Sequence, residues 1–90
     1  MDPFYAVRTE LEKYLHSVEI SMDTPLKEDG FWFMDVRIQG HLVVVQWNPI
    51  IRKFGVSRHN PYDFTDKPDE VYNDPVSAAE RVIEIFKGWA

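Results

Sequence analysis

Apolar residues recur at steps of three and four near the start of the chain. Phe4, Val7, Leu11, Leu15 and Val18 fall on one side of a 3.6-residue period, with Arg8, Glu12, Lys13 and Glu19 among the other positions. The spacing predicts an amphipathic helix over about Pro3 to Val18. Asp2 followed by Pro3 reads as its N-cap and first helical residue. The same period returns at the far end, in Val76, Ala79, Val82, Ile83, Phe86 and Trp89, again opened by an Asp-Pro pair, Asp74-Pro75. That stripe predicts a closing helix.

Between the two helices the period drops to two. In Phe31 to Gln39, Trp32, Met34, Val36 and Ile38 alternate with Phe33, Asp35, Arg37 and Gln39. This is the pattern of a strand with one buried face. Leu42 to Trp47 is rich in β-branched residues and suits a second strand. A loop of Gly40-His41 pairs Ile38 with Val43, Val36 with Val45 and Met34 with Trp47; a loop of Gln39-Gly40 shifts that register by two and keeps the faces. Either way Trp32, Met34, Val36, Ile38, Val43, Val45 and Trp47 form the core face. Pro49 closes the second strand, and Phe54-Gly55-Val56-Ser57 reads as a short third one with Phe54 and Val56 inward. Ser21 to Gly30 reads as a connection, and His59 to Asn73 as a long polar loop whose Tyr62, Phe64 and Tyr72 pin it to the body.

The order α-β-β-β-α predicts an α+β two-layer sandwich: a three-stranded antiparallel sheet with both helices on its one apolar face. A chain of 90 residues, 44% of them hydrophobic, has material for one core, so residues 1–90 read as a single domain. The absence of cysteine excludes disulfides, thiol nucleophiles and Cys-based metal centres. No apolar run reaches the roughly 20 residues that cross a bilayer, and Met1-Asp2-Pro3-Phe4 lacks the basic start of a signal peptide. The expectation is a complete cytoplasmic protein.

A net charge of −5 argues against nucleic acid or an anionic membrane surface as partner. The charges are unevenly spread, however: Val36 to Tyr62 holds Arg37, Arg52, Lys53 and Arg58 and no acid. Arg52, Lys53 and Arg58, with Arg37, are therefore the candidates for an anion site. The order of elements also resembles that of double-stranded RNA-binding domains, which grip phosphates with bases at the start of the last helix. Here that helix begins Asp74-Pro75-Val76-Ser77-Ala78-Ala79-Glu80, which repels phosphate.

Catalytic chemistry has little to stand on. His16, His41 and His59 share no ligand spacing, and the acid-rich Asp63 to Asp74 has no glycine and no calcium-loop pattern. There is no phosphate-cradling glycine motif and no nucleophile elbow. The expectation is a protein that is no enzyme and carries no cofactor or metal. The open face of the sheet is more informative, since Phe31, Phe33, Leu42 and Val44 stand there beside Arg37 and Asp35, apolar anchors in a polar surround. Asp35 and Arg37, two apart on one strand face, can pair.

The phrases Val44-Val45-Gln46-Trp47-Asn48-Pro49, Phe54-Gly55-Val56-Ser57 and Pro68-Asp69-Glu70-Val71-Tyr72, followed by Ala78-Ala79-Glu80-Arg81-Val82, resemble a group of small uncharacterised bacterial domains that stand alone or accompany helix-turn-helix regulators. The resemblance spans roughly residues 31 to 87. It implies an accessory or regulatory role, hands over no catalytic residue, and makes Trp47, Phe54, Gly55 and Tyr72 structural positions.

Three functions follow as expectations. The first is a protein-interaction module, homodimeric through the sheet face at Phe31, Phe33, Arg37, Leu42 and Val44. The second is an immunity or antitoxin protein that meets a basic toxin with the acidic surface of Asp63 to Asp74 or of the first helix. The third is a small anion-binding protein or enzyme that uses the basic residues above.

Overall fold

The computed structural model describes residues 2–23, 25, 30–58 and 69–89. In chain order the elements are α1 (Tyr5–Tyr14), β1 (Glu19–Asp23), β2 (Trp32–Ile38), β3 (His41–Asn48), β4 (Lys53–Arg58), β5 (Glu70–Tyr72) and α2 (Pro75–Trp89). The strands form one antiparallel meander in the order β1-β2-β3-β4-β5. The α+β class is as expected, but the sheet has five strands rather than three.

Both extra strands come from stretches read as something else. Glu19–Asp23 begins just past the expected end of the first helix at Val18 and runs into the expected connection. The helix stops at Tyr14: Leu15 is extended, with φ −116° and ψ 135°, and Ser17 takes a positive φ of 57°. His, Ser and Val are weak helix formers, and Ile20 and Met22 reach the core by alternation along an edge strand. Leu15 and Val18 still pack against the core, so the helical stripe continues in space although the helix does not. At the other edge, Glu70–Tyr72 pairs with β4, with Phe54 opposite Tyr72 and Val56 opposite Glu70. Tyr72 thus belongs to a strand, not to a loop. The part of the expected loop from His59 to Pro68, with Tyr62, Phe64 and the acids Asp63 and Asp66, lies outside the described residues.

The central hairpin decides the register. Gln39 and Gly40 both have positive φ, 49° and 84°, which is the type I′ geometry matching the twist of two antiparallel strands. Ile38 therefore lies opposite His41, Val36 opposite Val43, Met34 opposite Val45 and Trp32 opposite Trp47. Of the two loops the sequence allowed, Gln39-Gly40 is the one formed.

Met34, Val36, Val43 and Val45 are fully buried on the inner face, Trp47, Phe54 and Val56 nearly so, and Trp32 and Ile38 pack against them. Above them lie Ala78, Ala79, Val82, Ile83, Ile85 and Phe86 of α2, then Val7 and Leu11 of α1. Phe4, just before α1, reaches the sheet with its ring 6.3 Å from that of Phe54, which in turn lies 4.6 Å from Trp47. Val76 and Trp89, at the two ends of the expected stripe, are the exposed exceptions, at 42% and 38%.

α2 starts at a side-chain cap, whereas α1 begins at Tyr5 with Phe4 as its N-cap and no side-chain cap, so the expected Asp2-Pro3 helix start is not formed. Asp74 accepts hydrogen bonds from the Ser77 N–H and hydroxyl, both at 2.8 Å, and these donors hold its carboxyl below the usual carboxylate range. Asp2 instead accepts from the Phe4 N–H at 2.9 Å and pairs with Arg8, closing the turn that precedes α1.

The β3–β4 turn carries a separable test. Asn48 Oδ1 accepts from the N–H of Ile50 and Ile51 at 3.0 and 3.4 Å, and Arg52 closes the turn with a φ of 56°. Asn48→Ala is expected to lose about 1 kcal/mol through the two freed donors. Arg52→Gly relieves the left-handed backbone and is expected to gain up to about 1 kcal/mol, net of the extra freedom of the unfolded chain. Urea unfolding measures both, and a loss of stability in Arg52→Gly would contradict a strained turn.

Candidate functional site

Alternation along the meander sends a second set of side chains away from the helices. One row across this open face is Glu19, Arg37 and Leu42; the next is Ser21, Asp35, Val44 and Ser57; the third is Asp23, Phe33, Gln46, Gly55 and Val71. Asn48 and Lys53 form the last pair. Phe33 and Val44 occupy diagonal positions on neighbouring strands, a separation of about 7–8 Å that side chains of this size bridge.

Phe33, Leu42 and Val44 are half-buried, and Gln46, at 7% exposure on the central strand, is buried. Phe31 precedes β2, so it flanks the face from outside the ladder and is half-buried there. Arg37 is exposed, and its guanidinium lies 3.6 Å from the Asp35 carboxylate, the pairing the sequence suggested. Both partners are partly exposed, so the pair orients the two side chains more than it stabilises the fold.

Beside the apolar diagonal lies a depression of about 60 Å³ over Gly55, walled by Gln46, Ile51, Lys53 and Val71. Val71, 51% exposed, and Ile51, 55% exposed, extend the apolar surface beyond the residues the sequence marked. The Glu70-Val71-Tyr72 alternation is only three residues long, too short for a periodicity to register. The face therefore carries a half-buried aromatic, Phe33, and a hollow over a residue without a side chain, Gly55, in the same row.

The basic residues are not gathered. Lys53 and Arg58 stand at opposite ends of β4, roughly 17 Å apart at strand rise. Lys53 belongs to the open face, whereas Arg58, opposite Val43, has the inward parity at the strand's exposed end. Arg52 lines a cleft of about 370 Å³ at the far end of the molecule with Asp2, Trp47, Phe54 and Pro75. Arg37 is at the hairpin end, away from Arg52 and Lys53. Among the described residues no group of three His, Asp or Glu side chains could hold a metal ion, and no helix there is long and apolar enough to cross a membrane.

The edge of the face is held by one ionic cluster. Arg81 Nε on α2 donates to Glu70 Oε1 and Oε2 at 2.8 and 3.1 Å, and its Nη1 donates to Glu84 Oε1 at 2.8 Å. Tyr72 donates its hydroxyl to Glu70. The Arg81 hydrogen bonds, and then that of Tyr72, hold the Glu70 carboxyl below its ordinary range; Glu70 in turn pushes the Tyr72 hydroxyl up. A carboxyl whose folded pKa is depressed contributes stability that is complete above the unfolded value and is lost as pH falls through the folded one. As pH falls below the ordinary carboxylate range the wild type is therefore expected to lose more stability than Glu70→Gln, by less than about 1 kcal/mol, since the carboxylate is part-exposed. Parallel slopes of urea midpoint against pH would show that Glu70 contributes nothing.

Comparison of the chain with protein-family models, with curated proteins and with solved structures finds no match.

Proposed function

We propose that the chain is a non-enzymatic protein-interaction module whose partner is a second copy of itself, bound through the open face of the sheet. One observation carries this reading: Phe33 and the hollow over Gly55 lie in one row, on β2 and β4, on either side of the central strand. A two-fold axis running along β3 lays β2 of each copy over β4 of the other. Each Phe33 then lies over the partner's hollow, and Gln46 meets Gln46 near the axis. Such a contact is isologous, as a closed dimer requires. The same operation lays Asp23 of the β1 edge toward the partner's β4–β5 edge, one row from Lys53. Sheets packed face to face in this way sit about 10 Å apart and about 30° off parallel.

Light scattering on a size-exclusion column, over a range of loading concentrations, tests the reading. The expected result is a mass that doubles with concentration, as for a small interface of micromolar affinity. A monomeric mass persisting to about 1 mM would overturn it.

A second reading, capture of a basic protein such as a toxin, is favoured by a different surface. Glu10 of α1 and Glu80 and Glu84 of α2 line a groove between the helices. A soluble basic partner bound there would dissociate with added salt, and its affinity would fall in Glu10→Gln/Glu80→Gln. Salt-independent binding would rule that surface out.

A further inference from the structure

At the hairpin end of the molecule the two helix C-termini and the β2–β3 turn enclose a cleft of about 300 Å³, the low end of the range for small-molecule sites. Its apolar side chains are Leu15, Ile38 and Phe86. One wall is aromatic: the Trp89 indole stacks on the His41 imidazole, with ring centroids 4.4 Å apart and planes 12° apart, and meets Phe86 edge-on at 5.4 Å and 73°. The charged side chain of the lining is Lys87. Lys87 and His16 stand at the rim with the hydroxyl of Tyr14 and the amide of Gln39, and among the described residues no carboxylate lines it.

That last point is unusual in a chain of net charge −5. Tyr14 and Lys87 also line the neighbouring groove, whose acids are Glu10, Glu80 and Glu84. A pocket with an aromatic wall, an apolar floor and a positive rim selects a ligand with an aromatic body and an anionic end.

We propose that this cleft is a binding site for a small aromatic carboxylate, with the ring against Trp89 and Phe86 and the carboxylate toward Lys87. The site is separate from the sheet face and does not depend on self-association. Trp89 is 38% exposed, so its stack on His41 leaves part of the indole open to the cleft.

The test is a nitrogen-15 NMR titration of the full chain with 3-phenylpropionate, alongside the uncharged 3-phenylpropanamide. The expected result is saturable shifts confined to the Trp89 indole N–H and to the amides of Gln39, His41 and Lys87, with a Kd of about 1 mM, as suits a ligand of this size. The amide should bind at least about tenfold more weakly, since it lacks the charge the rim selects. Lys87→Gln, an exposed substitution that leaves the core intact, should raise the Kd for the acid about three- to tenfold and leave that for the amide unchanged. Equal affinity for acid and amide, shifts centred on the sheet face, or no saturable shift up to about 20 mM would each overturn the proposal.

Discussion

Under the proposed self-association, the double variant Phe33→Lys/Val44→Lys is expected to remain monomeric at concentrations at which the wild-type mass doubles, with a Kd raised more than about 100-fold. The substitutions are chosen so that folding and association respond oppositely. In the monomer each new ammonium has a carboxylate across the ladder: position 33 pairs with Asp23 and position 44 with Asp35. Opposite charges in such pairs are favourable, which offsets part of the lost β-propensity. In the dimer the ammonium introduced at position 33 would face the hollow over Gly55, where Lys53 already stands, and the two introduced at position 44 would be desolvated close to the axis. Native mass and urea midpoint read the two effects separately. A variant with unchanged mass and unchanged midpoint would show that the face is not the interface.

Phe4→Ala is expected to cost about 3–5 kcal/mol, a large share of the roughly 5–15 kcal/mol that holds a domain of this kind together. Phe4 is 0% exposed although it lies three residues from the start of the sequence and outside α1. Its ring bridges the start of α1 to Phe54 on β4, and through Phe54 to Trp47 on β3. Truncation leaves a cavity between the layers that the backbone is poorly placed to close, because the Asp2 hydrogen bond to the Phe4 N–H and the Asp2–Arg8 pair hold the turn. Tyr5→Ala, one residue on and 69% exposed, is the control and should change stability by less than about 0.5 kcal/mol. A loss below about 1 kcal/mol in Phe4→Ala would mean that the start of the chain does not seal the core.

These two substitutions probe opposite faces of one sheet, and the two faces were unequally legible. The inner face was readable because its alternation is long: four inward residues on β2 and three on β3, each run bounded by a turn signal. Phe33, Leu42 and Val44 were placed on the outer face by the same parity, as was the Asp35–Arg37 pair. Phe31 had the right parity but lies before the strand begins, a boundary that periodicity does not locate.

What the sequence determined by itself was therefore everything that repeats: the two amphipathic helices, the central hairpin and its faces, the Asp74-Pro75 helix start, and the α+β class. Tertiary structure alone decided the edges and the site. Five residues at β1 and three at β5 are too few for a period to declare itself, and they become strands because a neighbouring strand offers unpaired backbone donors and acceptors. The helix ends at Tyr14 although the apolar stripe runs on to Val18. The hollow over Gly55 and the aromatic cleft at Trp89 are assembled from residues far apart in sequence, such as Gln46 with Val71 and His41 with Trp89, and no local pattern encodes a distance across the fold.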